Sequence, residues 1–163
     1  GWLNTTKLPL RNQNGDVLGT MGISREITSL KEAQDKLEDE HRLLEVILNN
    51  IPDRIFVKDR DGRYLASNQN HMDFLGVNSQ EELIGKTTFD YFPRELADKL
   101  VAQDAKIMET GENLLNSCEG AEGAGGRLSW TLTSKVALHN SVGECIGLVG
   151  ISREVSEAVA KGL

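Results

Sequence analysis

A 26-residue segment that occurs twice constrains this chain more than any other feature. Residues 2–27 align with residues 130–155 at a constant offset of 128 and without a gap, and 12 of the 26 positions are identical. The run Gly-Ile-Ser-Arg-Glu is intact in both copies, at 22–26 and at 150–154. Because repeated segments mark repeated structural units, the sequence predicts one complete unit. Residues 1–28 are then the C-terminal hairpin of a preceding copy.

Each copy of the repeat has the pattern of a β-hairpin. In the second copy, Trp130, Leu132, Val136 and Leu138 fall on one face of a strand by their period of two. Segments 12–15 and 140–143 supply Asn and Gly for the turns. A two-stranded hairpin is marginally stable alone in water, so we expect residues 1–26 to fray or to pack on some other partner.

Residues 29–51 are predicted to form a long linker helix. Ser29 and Glu32 have the spacing of a capping box, and Pro52 prevents the helix from continuing much further. Apolar residues alternate at steps of three and four, which indicates a coiled-coil seam and a parallel homodimer; the predicted seam residues are Leu30, Leu37, His41, Leu44 and Leu48. The alternative is an amphipathic helix that packs on its own domain, since further apolar residues widen the face and parallel pairing would bring glutamates together.

Residues 52–156 have the pattern of one complete domain. Short strands over 54–59 and 63–67 flank an Asp-Gly turn at 61–62, and short helices follow. A longer helix over 94–110 leads to a strand over 113–119, a glycine-rich loop over 119–126 and the second hairpin. The loop lacks the GK[ST] sequence of a phosphate-binding loop. Residues 157–163 are predicted to start another helix.

This order of elements resembles the PAS family. The closing segment Gly150-Ile-Ser-Arg-Glu-Val-Ser156 is similar to the family's C-terminal signature, and Gly85-Lys-Thr-Thr-Phe-Asp-Tyr-Phe-Pro93 is similar to PAS units of bacterial histidine kinases and diguanylate cyclases. The resemblance implies an α+β fold: a five-stranded antiparallel sheet with short helices on one face, preceded here by the linker helix. A slot between sheet and helices would bind a small ligand or be filled by side chains.

The resemblance implies a sensor and interaction domain rather than an enzyme. It would sense a small ligand and relay the signal through its flanking helices, and the parent protein would carry a kinase or cyclase output domain. The alternative is a ligand-free module that serves as a dimerisation scaffold and relay. The candidate residues for a ligand pocket, which ordinary core packing would also explain, are Phe56, Phe74, Phe89, Phe92, Leu100, Met108, Leu115, Trp130 and Val149.

Cofactor subtypes of the family are tested by the positions of histidine and cysteine. Haem-binding members carry an axial histidine on the longer helix, and residues 93–110 contain none. Photoreceptor members place a reactive cysteine before that helix, whereas Cys118 follows it. We therefore expect neither haem nor a photochemical flavin, and a redox flavin or small metabolite stays open. Three scattered histidines predict no metal site, and His71 is expected to be a half-exposed polar residue.

Charge and hydropathy limit the kinds of partner that the chain can have. The net charge is −7, which argues against nucleic acid because phosphates require Lys and Arg. No apolar run approaches the roughly 20 residues of a membrane span, so we expect no direct membrane insertion and a cytoplasmic location.

The repeat also contains a charged junction at the end of each hairpin. Arg25 and Glu26 lead into the linker helix, and Arg153 and Glu154 lead towards the helix expected after Ser156. Because the same junction occurs twice, the sequence predicts a signal-coupling device in which Arg153 and Glu154 make charge-assisted hydrogen bonds.

Overall fold

The computed structural model describes residues 1–122, 128–156 and 159. The chain divides into two compact units, Gly1–Glu45 and Val46–Leu163, and each is described by itself. The predicted domain boundaries at 28/29 and 51/52 stay predictions. The predicted C-terminal helix over 157–163 and residues 123–127 of the glycine-rich loop lie outside the described residues, apart from Val159.

The first unit contains a hairpin and most of a helix. Strands β1 (Leu3–Arg11) and β2 (Val17–Glu26) pair antiparallel, and α1 covers Thr28–Asn50. The turn is closed by Asn12, whose Oδ1 accepts hydrogen bonds from the backbone N–H groups of Asn14 and Asp16 at 2.9 Å. The helix begins one residue before Ser29. The predicted capping box at Ser29 is therefore wrong, because a cap residue lies outside the helical turn that it closes.

The second unit is built on a five-stranded sheet. Its strands are β3 (Arg54–Asp59), β4 (Tyr64–Ser67), β5 (Leu114–Glu122), β6 (Leu128–His139) and β7 (Cys145–Val155). They lie in the order β4-β3-β7-β6-β5, and every adjacent pair is antiparallel. The predicted five-stranded antiparallel sheet is confirmed.

Helices cover one face of this sheet. They are α2 (Gln69–Leu75), α3 (Gln80–Leu83), a 3-10 turn (Thr88–Asp90) and α4 (Arg94–Thr110), and α4 packs against β6 and β7. Asn68 caps α2 by accepting the backbone N–H of His71, and Gly76 ends that helix at φ 73°, a backbone conformation that glycine adopts without a steric penalty. The buried core is formed by Phe56, Tyr64, Met72, Val77, Leu83 and Leu148.

None of the helices in the described ranges combines the length and the apolar character that a membrane crossing requires.

Candidate functional site

A cavity of about 380 Å³ lies between the sheet and the helices of the second unit. This volume lies within the range of small-molecule sites. Strands β3, β6 and β7 supply its floor, and α2, α4 and the segment between them supply most of its walls. The lining residues are Arg54, Phe56, Lys58, Tyr64, His71, Phe74, Thr88, Phe92, Leu96, Lys99, Leu100, Gln103, Gly120, Thr131, Thr133, Lys135 and Ser152.

The floor of the cavity is polar because the side chains that β6 directs towards the cavity are polar. Successive side chains of a strand point to opposite faces. On β6 the described buried positions are Thr131, Thr133, Lys135 and Ala137, and the first three line the cavity. Thr133 lies opposite Ser152 of β7, and their hydroxyls hydrogen-bond at 3.0 Å. A sheet face that meets helices is usually apolar, so this row of polar groups differs from an ordinary packed interface between sheet and helix.

Two buried lysines share one carboxylate at the cavity. Lys58 Nζ donates to Asp104 Oδ2 at 2.7 Å and to Thr88 Oγ1 at 2.7 Å. Lys135 Nζ donates to Asp104 Oδ1 at 2.6 Å and to Gln103 Oε1 at 2.7 Å. The three charged side chains are each 3% exposed. Burial lowers the pKa of the Lys58 ammonium, an effect that the nearby Asp104 carboxylate opposes.

His71 is a buried neutral wall residue. It is 4% exposed, its Nδ1 lies 2.7 Å from Ser67 Oγ, and its ring centroid lies 4.9 Å from that of Phe56. Burial lowers its pKa to about 3, with the charges of Lys58 and Arg54 acting in the same direction. The expectation of a half-exposed residue is wrong, because Asn68 caps the helix in a way that turns His71 towards β3 and β4.

Arg54 links the cavity to the junction at the end of β7. Its guanidinium lies 3.9 Å from the centroid of the Phe74 ring, and its Nη2 lies 3.4 Å from Glu154 Oε2. Arg153 binds Asp53 through two nitrogens, with Nε–Oδ1 at 3.0 Å and Nη2–Oδ2 at 2.9 Å. Asp53 and Arg54 are adjacent in the chain, so both ion pairs join the start of β3 to the end of β7.

The predicted pocket residues divide into three groups. Phe56, Phe74, Phe92 and Leu100 line the cavity. Met108 packs against the core cluster instead. The other four do not line it. Phe89 and Leu115 are 42% and 65% exposed. Trp130 and Val149 lie on the opposite face of the sheet, because Trp130 is one position from the lining residue Thr131 and Val149 is three positions from the lining residue Ser152. Hydrophobicity alone misplaced them, because the apolar face of β6 is the outer one.

Sequence reasoning missed the charged part of the site. Lys58, Lys135 and Asp104 come from three elements that are distant in the sequence, and lysine is rarely buried. One signal was available. Lys135 and Thr133 are among the positions conserved between the two copies of the repeat, as Lys7 and Thr5.

The predicted seam residues of α1 are exposed to different degrees, and Leu48, at 37%, is the least exposed of its leucines. Leu30, Leu37 and Leu44 are more than half exposed, and His41 Nε2 lies 3.7 Å from Glu45 Oε1. Arg25 and Glu26 are exposed at the end of β2. Within residues 1–122, 128–156 and 159, no cluster of His, Cys, Asp and Glu has the geometry of a metal site.

A family model described as PAS fold matches residues 48–160. This chain belongs to the PAS family. The match begins near the end of α1 and includes every element of the five-stranded sheet, so the cavity lies within the PAS domain.

Relatives of the chain are signalling proteins. A diguanylate cyclase of Vibrio cholerae is 28% identical over 135 residues, which cover 82% of this chain and 41% of the cyclase. The virulence sensor protein BvgS of Bordetella pertussis is 32% identical over 65 residues, which cover 40% of this chain and 5% of BvgS. The chain thus spans less than half the length of either relative.

Solved structures share the PAS fold at low sequence identity. The PAS domain of Bordetella pertussis BvgS superposes with a TM-score of 0.58 at 22% identity, covering 74% of this chain and 90% of that one. A structure of VqmA bound to DPO has a TM-score of 0.62 at 20% identity, covering 69% of this chain and 56% of VqmA.

Proposed function

We propose that this PAS domain senses a small ligand in its cavity and relays the signal through its flanking helices to an output domain. The observation that carries the proposal is the cavity itself, which combines aromatic walls with buried, oriented polar groups. Side chains that only fill a core seldom leave such a space. VqmA, which shares the fold, has been solved bound to DPO. A cytoplasmic location stays a prediction.

The relay is proposed to run through the two ion pairs between β3 and β7. Arg54 lines the cavity and pairs with Glu154, while the neighbouring Asp53 pairs with Arg153. Asn68 Nδ2 donates to the carbonyls of both Asp53 and Leu48, which ties the same point to the end of α1. A ligand that displaces Arg54 would therefore act on the segments that precede β3 and follow β7.

Extraction of bound molecules tests the sensing function. Protein purified from its native host should release a stoichiometric small molecule, identified by mass spectrometry, and its visible spectrum reports whether that molecule is a flavin. The variant Leu100→Trp, which fills the cavity, should purify without it, whereas Leu115→Trp on the exposed surface should retain it. An empty wild-type cavity, with no ligand found by screening, would contradict the proposal.

The relay is tested by Glu154→Ala in the full-length protein. Output activity should change while the isolated domain stays folded, because Glu154 is half exposed and its partner Arg54 keeps its contact with Phe74. Glu144→Ala, in the turn between β6 and β7, removes the same charge away from the junction and is the matched control. An unchanged output in Glu154→Ala would make the junction a plain connector.

A second candidate function is a dimerisation scaffold, and the exposed leucine row of α1 favours it. In a parallel coiled coil His41 would meet its counterpart at an a position. Association measured by sedimentation should then change between pH 5 and 8, the range in which histidine titrates. His41→Leu should abolish the pH response and dimerise more tightly. A protein that is monomeric throughout would exclude this use of the helix.

A further inference from the structure

The charge in the cavity is not balanced by the groups that bind it. Lys58 and Lys135 contact the two oxygens of the same carboxylate, Asp104, and all three side chains are buried. Two ammonium groups against one carboxylate leave a net charge of one positive unit. A buried charge without a partner is costly. Burial is the main cause that lowers the pKa of Lys58, and the charge of Lys135 acts in the same direction, while Asp104 opposes both.

Both lysines retain hydrogen-bonding capacity at the cavity. An ammonium has three N–H donors. Lys58 spends two of them, on Asp104 and Thr88, and Lys135 spends two, on Asp104 and Gln103. Within the part of the chain that the structure describes, these bonds leave one N–H donor of each ammonium over, and both side chains line the cavity. A ligand oxygen pair placed there would be bonded by two charge-assisted hydrogen bonds.

The other residues that line the cavity indicate the chemistry of the rest of the ligand. Among the described lining residues, four are basic and none is acidic. Phe74, Phe92, Leu96 and Leu100 form an apolar wall from α2 and α4. A molecule that matches both parts has an anionic end and an apolar body.

We infer that the ligand is a small organic monocarboxylate, with its carboxylate bonded by Lys58 and Lys135 and its apolar body against the aromatic wall. The inference rests on the proposed ligand-sensing function. A single negative charge matches the excess of one at the lysine pair, whereas a phosphate ester carries about 1.5 to 2 negative charges at neutral pH. The other deeply placed cation, Arg54, already pairs with Glu154.

Matched probes test the inference on the chain of residues 1–163. The panel consists of carboxylates with aliphatic and aromatic bodies (hexanoate, benzoate, phenylacetate and indole-3-acetate) and the primary amide of each, measured by titration calorimetry at fixed ionic strength. At least one carboxylate should bind about tenfold or more tightly than its amide, since hydrogen bonds to charged groups are about that strong. Phenylphosphonate should bind no better than phenylacetate.

Two variants distinguish the effect of the buried Lys135 charge on carboxylate affinity from the effect of the net charge of the protein. Lys135→Met leaves Lys58 and Asp104 as a balanced ion pair, and it should reduce carboxylate affinity about tenfold or more while leaving amide affinity unchanged. Lys86→Met removes the same charge from an exposed residue that does not line the cavity and should change carboxylate affinity less than about threefold, because exposed charges are screened. Circular dichroism checks that both variants are folded, and the wild-type comparison stands without them.

The outcomes distinguish the two proposals. If amides bind as tightly as carboxylates, or if a neutral or cationic molecule is extracted from the native protein, the monocarboxylate inference is overturned and ligand sensing stands. If no member of the panel binds and nothing is extracted, both are overturned. Equal losses in Lys86→Met and Lys135→Met would show that net charge alone attracts the anion, which also overturns the inference.

Discussion

The two hairpins of this chain have the same local structure and opposite environments. Every residue pair of β1–β2 has its counterpart in β6–β7 at the offset of 128, from Leu3↔Glu26 and Thr131↔Glu154 onwards. The register irregularity after Leu10 recurs after Leu138. Local sequence is therefore sufficient to specify strand pairing, twist and turn in both copies.

Hydrogen bonds repeat as faithfully as the register. Asn140 closes its turn as Asn12 does, accepting from the backbone N–H of Glu144 at 2.9 Å. Thr5 and Ser24 hydroxyls hydrogen-bond at 2.8 Å, the counterpart of the Thr133 and Ser152 pair. These bonds are exposed in the first hairpin and part-buried in the second. The hydroxyl pair of the cavity floor is therefore encoded in both copies of the repeat, whereas its burial in the second copy depends on the rest of the PAS domain.

The largest expected difference between the hairpins is at Leu148, which is 0% exposed, and at its counterpart Thr20, which is exposed. Leu148→Ala should lower the free energy of unfolding of the second unit by about 2–5 kcal/mol, because it leaves a cavity in the core. Thr20→Ala should leave it unchanged. Guanidinium titrations of both variants check this, and equal effects would contradict the assignment of inner and outer environments.

The next largest difference in stability between the hairpins is expected at a glycine that is identical in both copies of the repeat. A Cβ at Gly150 would overlap the ring of Phe56, whereas a Cβ at Gly22 would meet Lys7 Cγ at an ordinary 3.5 Å. Gly150→Ala should therefore destabilise the second unit by about 1–3 kcal/mol through overpacking. Gly22→Ala is the matched control and should have no measurable effect on thermal unfolding. A tolerated Gly150→Ala would mean that Phe56 has room to move into the cavity.

The units should also differ in their response to acid. His71 of the second unit has a pKa of about 3 in the folded state against about 6.5 when unfolded. The unfolded chain therefore binds more protons below pH 6.5, and stability falls as the pH falls. The loss attributable to His71 should be about 1 kcal/mol between pH 7 and pH 5.5. Chemical denaturation at both pH values should show a smaller difference in His71→Gln than in the wild type, and an equal difference would contradict the prediction.

The smallest difference concerns the repeated hydroxyl pair. Thr133→Val removes a hydrogen bond between two strands at a buried position and should cost about 1 kcal/mol. Thr5→Val removes the equivalent exposed bond and should be neutral, since water replaces it. Urea titrations resolve a difference of this size. A neutral Thr133→Val would indicate that water in the cavity satisfies Ser152.

Sequence patterns predicted the fold well because its elements are locally encoded. The Asp61-Gly62 turn lies between β3 and β4, the helix predicted over 94–110 is α4, and the closing hairpin has its predicted turn. The polar half of the cavity could not be predicted from sequence patterns in the same way. Alternation divides β6 into two faces, and the more apolar one, with Trp130 and Leu132, was taken as the inner face. The inner face instead carries Thr131, Thr133 and Lys135, and α4 supplies Asp104 and Gln103 as hydrogen-bond acceptors for the Lys135 ammonium.

The sequence by itself determined the repeat, the hairpin register, the order of elements and the family. These depend on turn residues, periodicity and short motifs, whose effects extend over a few residues. Only the tertiary structure decided which sheet face is buried and where the charges meet. Lys58 and Lys135 lie 46 and 31 residues from Asp104 in the chain. Such burial is favourable only when oppositely charged partners arrive together, and folding of the whole domain is what brings them within hydrogen-bond distance.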